Sequence, residues 1–293
     1  MKNIHFVVNP IAGGGNHFIS QKFLEKFFER NSYVVTIKKS DYKKHTKRLT
    51  LSSIAEGADI VVACGGDGTI NEVASCLVNT NIALGIIPLG SGNGLASNLK
   101  IPKHIEQATT LIKTTALKKI DVGCINEHYF FSNMGIGIDA QVIMHYEKSN
   151  ERKLTSYVKS SLKALRSLNY KNKITVEVNG ITIHTYPFLV FISNSNEMGY
   201  NISLTPMASL QDGLLDVLIV SKLSRLKSLF FGLLILIKKH HLIGESQSYQ
   251  SNAIKIRQDH RKTYQSQIDG EFLNIDSEAI TISLLEKSLH VIA

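Results

Sequence analysis

Apolar and polar positions fall into two regimes along the chain. Over the first 120 or so residues, short unbroken apolar runs alternate with stretches of helical period. Ile4-His5-Phe6-Val7-Val8 stops at Asn9-Pro10, Asp59-Ile60-Val61-Val62-Ala63 stops at Cys64-Gly65-Gly66, and residues 82–88 stop at Leu89-Gly90-Ser91-Gly92-Asn93-Gly94. Short runs that are apolar throughout read as strands covered on both faces, the mark of a parallel sheet between helices. Each run is followed by a predicted helix: one carrying Phe23, Leu24, Phe27 and Phe28, one starting at Thr69-Ile70-Asn71-Glu72-Val73, and one from Leu95. From Asn126 onward short strand-like runs dominate, such as residues 173–178 and 188–192. The pattern predicts an α/β domain with an open, Rossmann-like sheet over residues 1–125, followed by a mainly antiparallel β-sandwich domain over 126–293. There is no long linker, low-complexity segment or internal repeat beyond the strand-and-glycine units.

Two further stretches have a helical period. Residues 151–168 place Leu154, Tyr157, Val158, Leu162, Leu165 and Leu168 on one side and Lys159, Lys163 and Arg166 on another; such a helix docks on its own protein or faces a membrane. The nine apolar residues 229–237, between Lys227 and Lys238-Lys239, fall well short of the ~20 that span a bilayer. They form either a buried helix or an apolar lip that dips into a membrane interface while the lysines meet headgroups.

The glycine turns bring in the chemistry. Glycines let main-chain N–H groups close on phosphate oxygens, and a helix starting just after the turn presents its positive end to the anion. In an open α/β sheet such turns line up at the carboxyl edge of the strands, so three of them imply one shared phosphate cleft of the kind that holds a nucleotide in a kinase. Neither a P-loop with its Lys-Ser/Thr nor a full Gly-x-Gly-x-x-Gly dinucleotide fingerprint is present.

In order and spacing, Asn9-Pro10-Ile11-Ala12-Gly13, Gly65-Gly66-Asp67-Gly68-Thr69-Ile70-Asn71-Glu72-Val73 and Pro88-Leu89-Gly90-Ser91-Gly92-Asn93 resemble the diacylglycerol kinase catalytic-domain family, which includes sphingosine and ceramide kinases and soluble bacterial lipid kinases. The resemblance extends through Gly135-Ile136-Gly137-Ile138-Asp139-Ala140, Gln211-Asp212-Gly213-Leu214-Leu215-Asp216-Val217 and Ile268-Asp269-Gly270-Glu271, nearly the whole chain. It implies an ATP- and Mg²⁺-dependent enzyme that phosphorylates the primary hydroxyl of a membrane lipid, diacylglycerol-like or sphingoid-base-like. The rival readings are an NAD-kinase-like enzyme with a soluble substrate and a nucleotide-binding regulator without catalysis.

Under the leading reading, nucleotide contacts come from Asn9, Ser40, Gly65, Gly66, Asp67, Gly68, Thr69, Asn71, Glu72, Gly90, Ser91, Gly92 and Asn93. Asp67 cannot attract phosphate, so it either holds Mg²⁺ or a metal-bound water, or braces its turn through hydrogen bonds. By its local pattern Glu271 is a strand residue after an Asp-Gly hairpin turn; the resemblance makes it the acceptor of the lipid hydroxyl's proton. The resemblance likewise implies a structural Mg²⁺ at Asp212 with the carbonyls of Ser209 and Leu214, where a plain hairpin turn is the alternative. It also implies contact between Asp139 and the lipid head, where the alternative is a turn residue. Two departures stand out: Gly94 occupies a position where diacylglycerol kinases often carry Asp, and Gly15-Asn16 stands where a lysine often follows the first glycines.

Charge adds a partner class. Lys plus Arg outnumber Asp plus Glu by 33 to 24, a formal +9, and without a nucleic-acid reading module the expected anionic partner is a membrane surface. Three cysteines, Cys64, Cys76 and Cys124, suggest no disulfide framework. The expected setting is cytoplasmic and peripherally membrane-associated, with no exported leader; a homodimer stays open.

Overall fold

The computed structural model describes residues 1–15, 19–42, 44–149, 154–168, 170, 172–196, 203–259 and 262–293. Contacts divide the chain into two units, residues 1–122 with 286–293, and residues 123–285.

The first unit runs β1 (Lys2–Val8), α1 (Gln21–Leu24), β2 (Tyr33–Lys39), α2 (His45–Ala55), β3 (Ile60–Gly65), α3 (Asp67–Leu77), β4 (Ala83–Pro88), α4 (Gly94–Asn98), α5 (Ile105–Thr114) and the start of β5 (Leu117–Ile125). Its strands pair in parallel in the order β2-β1-β3-β4, the open sheet that the apolar runs predict. β3 and β4 are buried at every position, which is why their sequences are apolar without alternation. The helix predicted after the first glycine turn is a single turn. Ser20 caps α1 by accepting a hydrogen bond from Phe23 N (3.2 Å), and Leu24 and Phe28 are buried, the Phe28 ring lying edge-on to Phe6 and Tyr33.

Residues 286–293 return to this unit. Val291 pairs in parallel with Leu84 of β4, Leu289 and Val291 are fully buried, Lys287 N donates to Asp121 Oδ1 (2.7 Å) and Asn79 N donates to Ser288 O (2.7 Å).

The second unit takes in the end of β5 and then β6 (His128–Phe130), β7 (Asn133–Gly137), α6 (Ile138–Glu147), α7 (Leu154–Ser167), β8 (Ile174–Val178), β9 (Ile181–Thr185), β10 (Pro187–Ser193), β11 (Leu215–Ser221), α8 (Arg225–Leu236), β12 (Ser246–Ser251), β13 (Ala253–Gln258), β14 (Thr263–Ile268), β15 (Glu271–Asp276) and the first half of β16 (Ala279–Ile292). One antiparallel sheet runs β12-β11-β10-β7-β14-β15. Facing it, β9-β8-β13-β16 pair antiparallel. Alternate residues point inward, among them Val176, Val178, Ile254, Ile256 and Ile282 from one sheet and Met134, Val190, Ile192, Val217 and Tyr264 from the other, and together they form one core. This is the β-sandwich that the second half of the sequence predicts.

The other face of the six-stranded sheet is covered by helices. Ile138 and Val142 of α6, Ala164 of α7, and Phe231 and Leu234 of α8 pack on Phe188, Leu189, Phe191, Leu218 and Val220. In the helix expected at 151–168, residues 151–153 lie outside the described residues. Its docked side is centred on Ser160 and Ala164 with Tyr157, Leu165 and Leu168, while Val158 and Leu162 face outward. No helix among the described residues is long and apolar enough to cross a membrane.

The returning segment gives a direct test of its place in the first unit. Leu289→Ala removes a fully buried side chain and is expected to cost about 2–5 kcal/mol, read as a lower urea midpoint; an unchanged midpoint would mean that residues 286–293 do not complete that unit's core.

Candidate active site

Three turns meet at the carboxyl edge of the parallel sheet. Asn9 N donates to Cys64 O (2.9 Å) and Leu89 N to Gly65 O (2.8 Å), so the ends of β1, β3 and β4 are laced together by main chain. The second and third turns then touch without side chains between them. A Cβ built on Gly90 would lie 2.6 Å from Gly66 Cα, and one on Gly13, where φ is +60°, would lie 2.5 Å from Leu89 O. A side chain at Gly90 would force these turns apart, and one at Gly66, whose Cβ would lie 3.3 Å from Gly90 Cα, would crowd them.

Asp67 ties the arrangement. Its Oδ2 accepts from Asn93 N (2.8 Å) and its Oδ1 from Gly94 N (2.7 Å), so the carboxylate of the second turn braces the third. Asn93, buried and left-handed at φ 55°, closes that turn from within by accepting from Gly90 N (3.0 Å) and donating to Gly90 O (2.6 Å). The bond to residue 94 uses its main chain, so glycine there leaves the brace intact. A carboxylate can accept about four hydrogen bonds; bracing a turn and receiving a metal-bound water are therefore compatible.

The remaining predicted nucleotide residues gather at the same edge. Asn9 Nδ2 donates to Thr69 Oγ1 (3.2 Å), joining the first turn to α3. Ser40, buried at the end of β2, donates its N–H to Val8 O (2.9 Å). Gly68, Asn71 and Glu72 lie in the first turns of α3, whose N-terminus has no side-chain cap, the condition under which helix N–H groups serve an anion. Ser91 is exposed and Gly92 half-buried on the third turn.

In the second unit, Asp269 and Gly270 both have positive φ, 46° and 82°, in the two-residue turn between β14 and β15. Asp269 receives three main-chain N–H groups, Phe131 (2.9 Å), Ser132 (2.8 Å) and Asn133 (3.1 Å). Glu271, the next residue after the turn, is exposed and opens β15. Beneath it lies Gln267, whose Oε1 accepts from Gly270 N (2.8 Å) and whose Nε2 donates to Asn133 Oδ1 (2.8 Å) and Asp139 Oδ2 (2.7 Å). Glu147 of α6 accepts from Phe272 N (2.9 Å) on the far side. The turn that presents Glu271 is thus held from several directions.

Asp139 is buried at the start of α6. Burial pushes its carboxyl up to about 6, and the hydrogen bond from Gln267 pulls it part of the way back. Its charge also helps to raise the hydroxyl of Tyr157, which burial raises first. Asp139 therefore sits under the Asp-Gly-Glu turn, joined to it by Gln267. Sequence reasoning places Asp269 in its Asp-Gly turn but misses Gln267, Asn133 and the bonds that Asp269 receives; its three N–H donors carry no local signature, because residues 131–133 are remote in the chain.

Ser209, Asp212 and Leu214 form a separate turn. Asp212 Oδ1 accepts from Leu214 N (3.1 Å) and Ser209 Oγ from Gln211 N (3.3 Å). Asp216 is close enough that the Asp212 charge adds to the rise that burial causes in its carboxyl. Among the described residues no cluster of three or more His, Cys, Asp and Glu side chains gathers, so a hard cation at this turn would rest on one or two carboxylates and main-chain oxygens.

Comparison with known proteins places this geometry. The diacylglycerol kinase catalytic domain profile matches residues 3–125, and that of the YegS C-terminal NAD kinase beta sandwich-like domain matches residues 132–293. The protein named diacylglycerol kinase in Bacillus subtilis (strain 168) is 26% identical over 283 residues, 93% of this chain and 90% of that protein. One named probable lipid kinase YegS-like in Enterobacter sp. (strain 638) is 27% identical over 282 residues, 94% of this chain and 91% of that protein. A crystal structure described as a diacylglycerol kinase from Bacillus anthracis str. Sterne has a TM-score of 0.76 at 22% identity, covering 99% of this chain and 96% of that one, a likeness of fold. Some relatives are matched over less of their length: the chain spans 55% of an uncharacterized Synechocystis protein at 28% identity.

The raised carboxyl of Asp139 makes a pH-dependent prediction. The folded protein holds this proton to about pH 6 whereas the unfolded chain releases it near 3.8, so the stability contributed by the protonated form is complete below the lower value and is lost as pH rises through the higher. Asp139→Asn is expected to melt above the parent at pH 8, by on the order of 1–3 kcal/mol, with the gap closing by pH 4. Equal melting differences at both pH values would show that folding does not raise the Asp139 carboxyl.

Proposed function

The chain belongs to the diacylglycerol kinase and YegS-like lipid kinase family, and from that premise we propose that it transfers the γ-phosphoryl group of ATP to the primary hydroxyl of a membrane lipid, diacylglycerol-like or sphingoid-base-like. The observation that carries the reading is the meeting of three glycine turns at one sheet edge, tied by Asp67 and fronted by the uncapped start of α3. Phosphate oxygens fit such an edge because main-chain N–H groups can approach them without side chains intervening.

In this reading the turns around Asn9, Gly66–Thr69 and Gly90–Asn93 bind the ATP phosphates, and Asp67 is the carboxylate that holds Mg²⁺ or its water. Mg²⁺, when bound, neutralises charge on the phosphates. Glu271 accepts the proton of the lipid hydroxyl, and its exposure directly after a two-residue turn anchored by Asp269 and Gln267 supports a presented base. Asp139, which the resemblance puts in contact with the lipid head, is buried and supports that turn through Gln267, so the influence proposed for it on a headgroup runs through the same network. The Asp212 turn, with Ser209 and Leu214, is the proposed second site for Mg²⁺, of structural rather than chemical use. The enzyme meets its lipid at the surface of an anionic membrane, consistent with the +9 charge.

A second reading has one observation in its favour: the domain matched at residues 132–293 is described as NAD kinase beta sandwich-like. NAD therefore belongs among the acceptors tested.

With labelled ATP, Mg²⁺ and diacylglycerol, monoacylglycerol, sphingoid base, ceramide or NAD offered in parallel, label is expected on a lipid. Glu271→Gln is expected to reduce turnover by about 10²–10⁴-fold with ATP binding unchanged. Label on NAD alone would replace the lipid reading with the soluble one, and full turnover in Glu271→Gln would remove Glu271 as the base.

A further inference from the structure

One face of α8 has no partner among the described residues. Its inner side buries Ser228, Phe231 and Leu234, with Ile235 packed beside them, against the helical side of the six-stranded sheet. Its outer side carries Leu226, Leu229, Phe230, Leu233, Leu236 and, just past the helix end, Ile237, each between 52% and 82% exposed. Their spacing keeps all six within one apolar stripe of the helix. Ser224 caps the helix start by accepting from Lys227 N (3.3 Å), so the stripe is set on a defined helix.

The charges within the segment that carries the stripe are of one sign. Residues 217–244 contain no Asp or Glu and five basic residues, Lys222, Arg225, Lys227, Lys238 and Lys239, all of them exposed. Glu245, the first acid beyond, is held by Lys227. Arg225 and Lys227 stand at one end of the stripe and Lys238 and Lys239 at the other.

We propose that this face of α8 is the element by which the protein seats itself on a membrane, the six apolar side chains entering the acyl boundary of an anionic bilayer while the basic residues at either end meet its headgroups. The inference rests on the lipid-kinase reading only for the choice of a bilayer as partner. At 12 residues the helix is about 18 Å long, too short to span and suited to lying in the interface plane. Charge argues for a bilayer over a second copy of this chain: a two-fold pairing through the stripe would set each copy's basic ends beside those of its mate, where like charges repel, whereas an anionic leaflet attracts them. Val158 and Leu162 of α7 make no comparable stripe.

The test is made without ATP or acceptor lipid, so that it stands apart from the kinase reading. Vesicles of phosphatidylglycerol and phosphatidylcholine in equal parts, or of phosphatidylcholine alone, are floated with the parent protein, with Leu229→Ser/Phe230→Ser/Leu233→Ser, and with Lys238→Glu/Lys239→Glu. The parent is expected to bind the anionic vesicles, less so as salt is raised, and both variants to bind at least about tenfold more weakly. The protein has no tryptophan, so Phe230→Trp adds a single reporter, whose emission is expected to shift to the blue and to be quenched by brominated acyl chains. Phosphoryl transfer to lipid in neutral detergent micelles, measured separately, is expected to persist in all variants; its absence in the parent would fail the kinase reading and leave the docking result standing. Parent protein that ignores anionic vesicles, serine variants that bind as well as the parent, or indole emission from Phe230→Trp that the brominated chains leave unquenched would overturn the proposal. So would a parent dimer that the serine substitutions dissociate, which would give the face to a second copy.

Discussion

Main chain touches main chain where Gly66 meets Gly90, and the carboxyl edge of the first unit's parallel sheet depends on that contact. A side chain at Gly90, and to a lesser degree one at Gly66, would push the second and third turns apart and strain the bonds by which Asp67 receives the N–H groups of Asn93 and Gly94. The edge therefore combines two requirements: strands buried on both faces, which demand apolar sequence, and turns bare enough for backbone to meet backbone. Asp67 meets the second without filling the space, since it bonds sideways to the neighbouring turn. The charge of Asp67 is received by two main-chain donors, the N–H groups of Asn93 and Gly94.

The second unit solves the opposite problem, which is to present a side chain rather than to remove one. Glu271 lies on the rim of an antiparallel sheet, where a hairpin end would ordinarily move freely. Asp269 gathers three consecutive N–H groups from residues 131–133, at the start of β7 and just before it, and Gln267 links the turn to Asn133 and Asp139. Charge-assisted bonds of this kind are stronger than neutral ones. The neutralising tendency of Asp139 fits its position: burial is the larger influence on its carboxyl, and the hydrogen bond from Gln267 offsets only part of it.

Much of the first unit was legible because its signals are local. An apolar run, a glycine turn and a helical start occupy about twenty consecutive residues, and each of the three units reads the same way. The sandwich was legible as a class from its short alternating strands. What escaped reading was non-local. The bond from Asp67 to the third turn spans 26 residues and those from Asp269 to residues 131–133 more than 135, and no pattern in either neighbourhood announces the other. The apolar residues 229–237 were ambiguous for a different reason: a buried helix and a half-exposed one have the same composition, and only packing shows that Phe231 and Leu234 turn inward while Leu229, Phe230 and Leu233 do not. The helix expected around Phe23 to Phe28 stopped after one turn although its apolar spacing was helical.

β16 belongs to both units, its first half a strand of the sandwich and its last residues a partner of β4. For a chain made from its N-terminus, this has a consequence in time. Residues 1–122 emerge first with their parallel sheet lacking the segment that buries Leu289 and Val291, and residues 123–285 must all be made before it arrives. At about 5–20 residues per second that is on the order of 10–30 s, during which the flank of β4 lacks the strand that later pairs with it. Residues 1–122 thus reach their full packing only once residues 123–285 have been made.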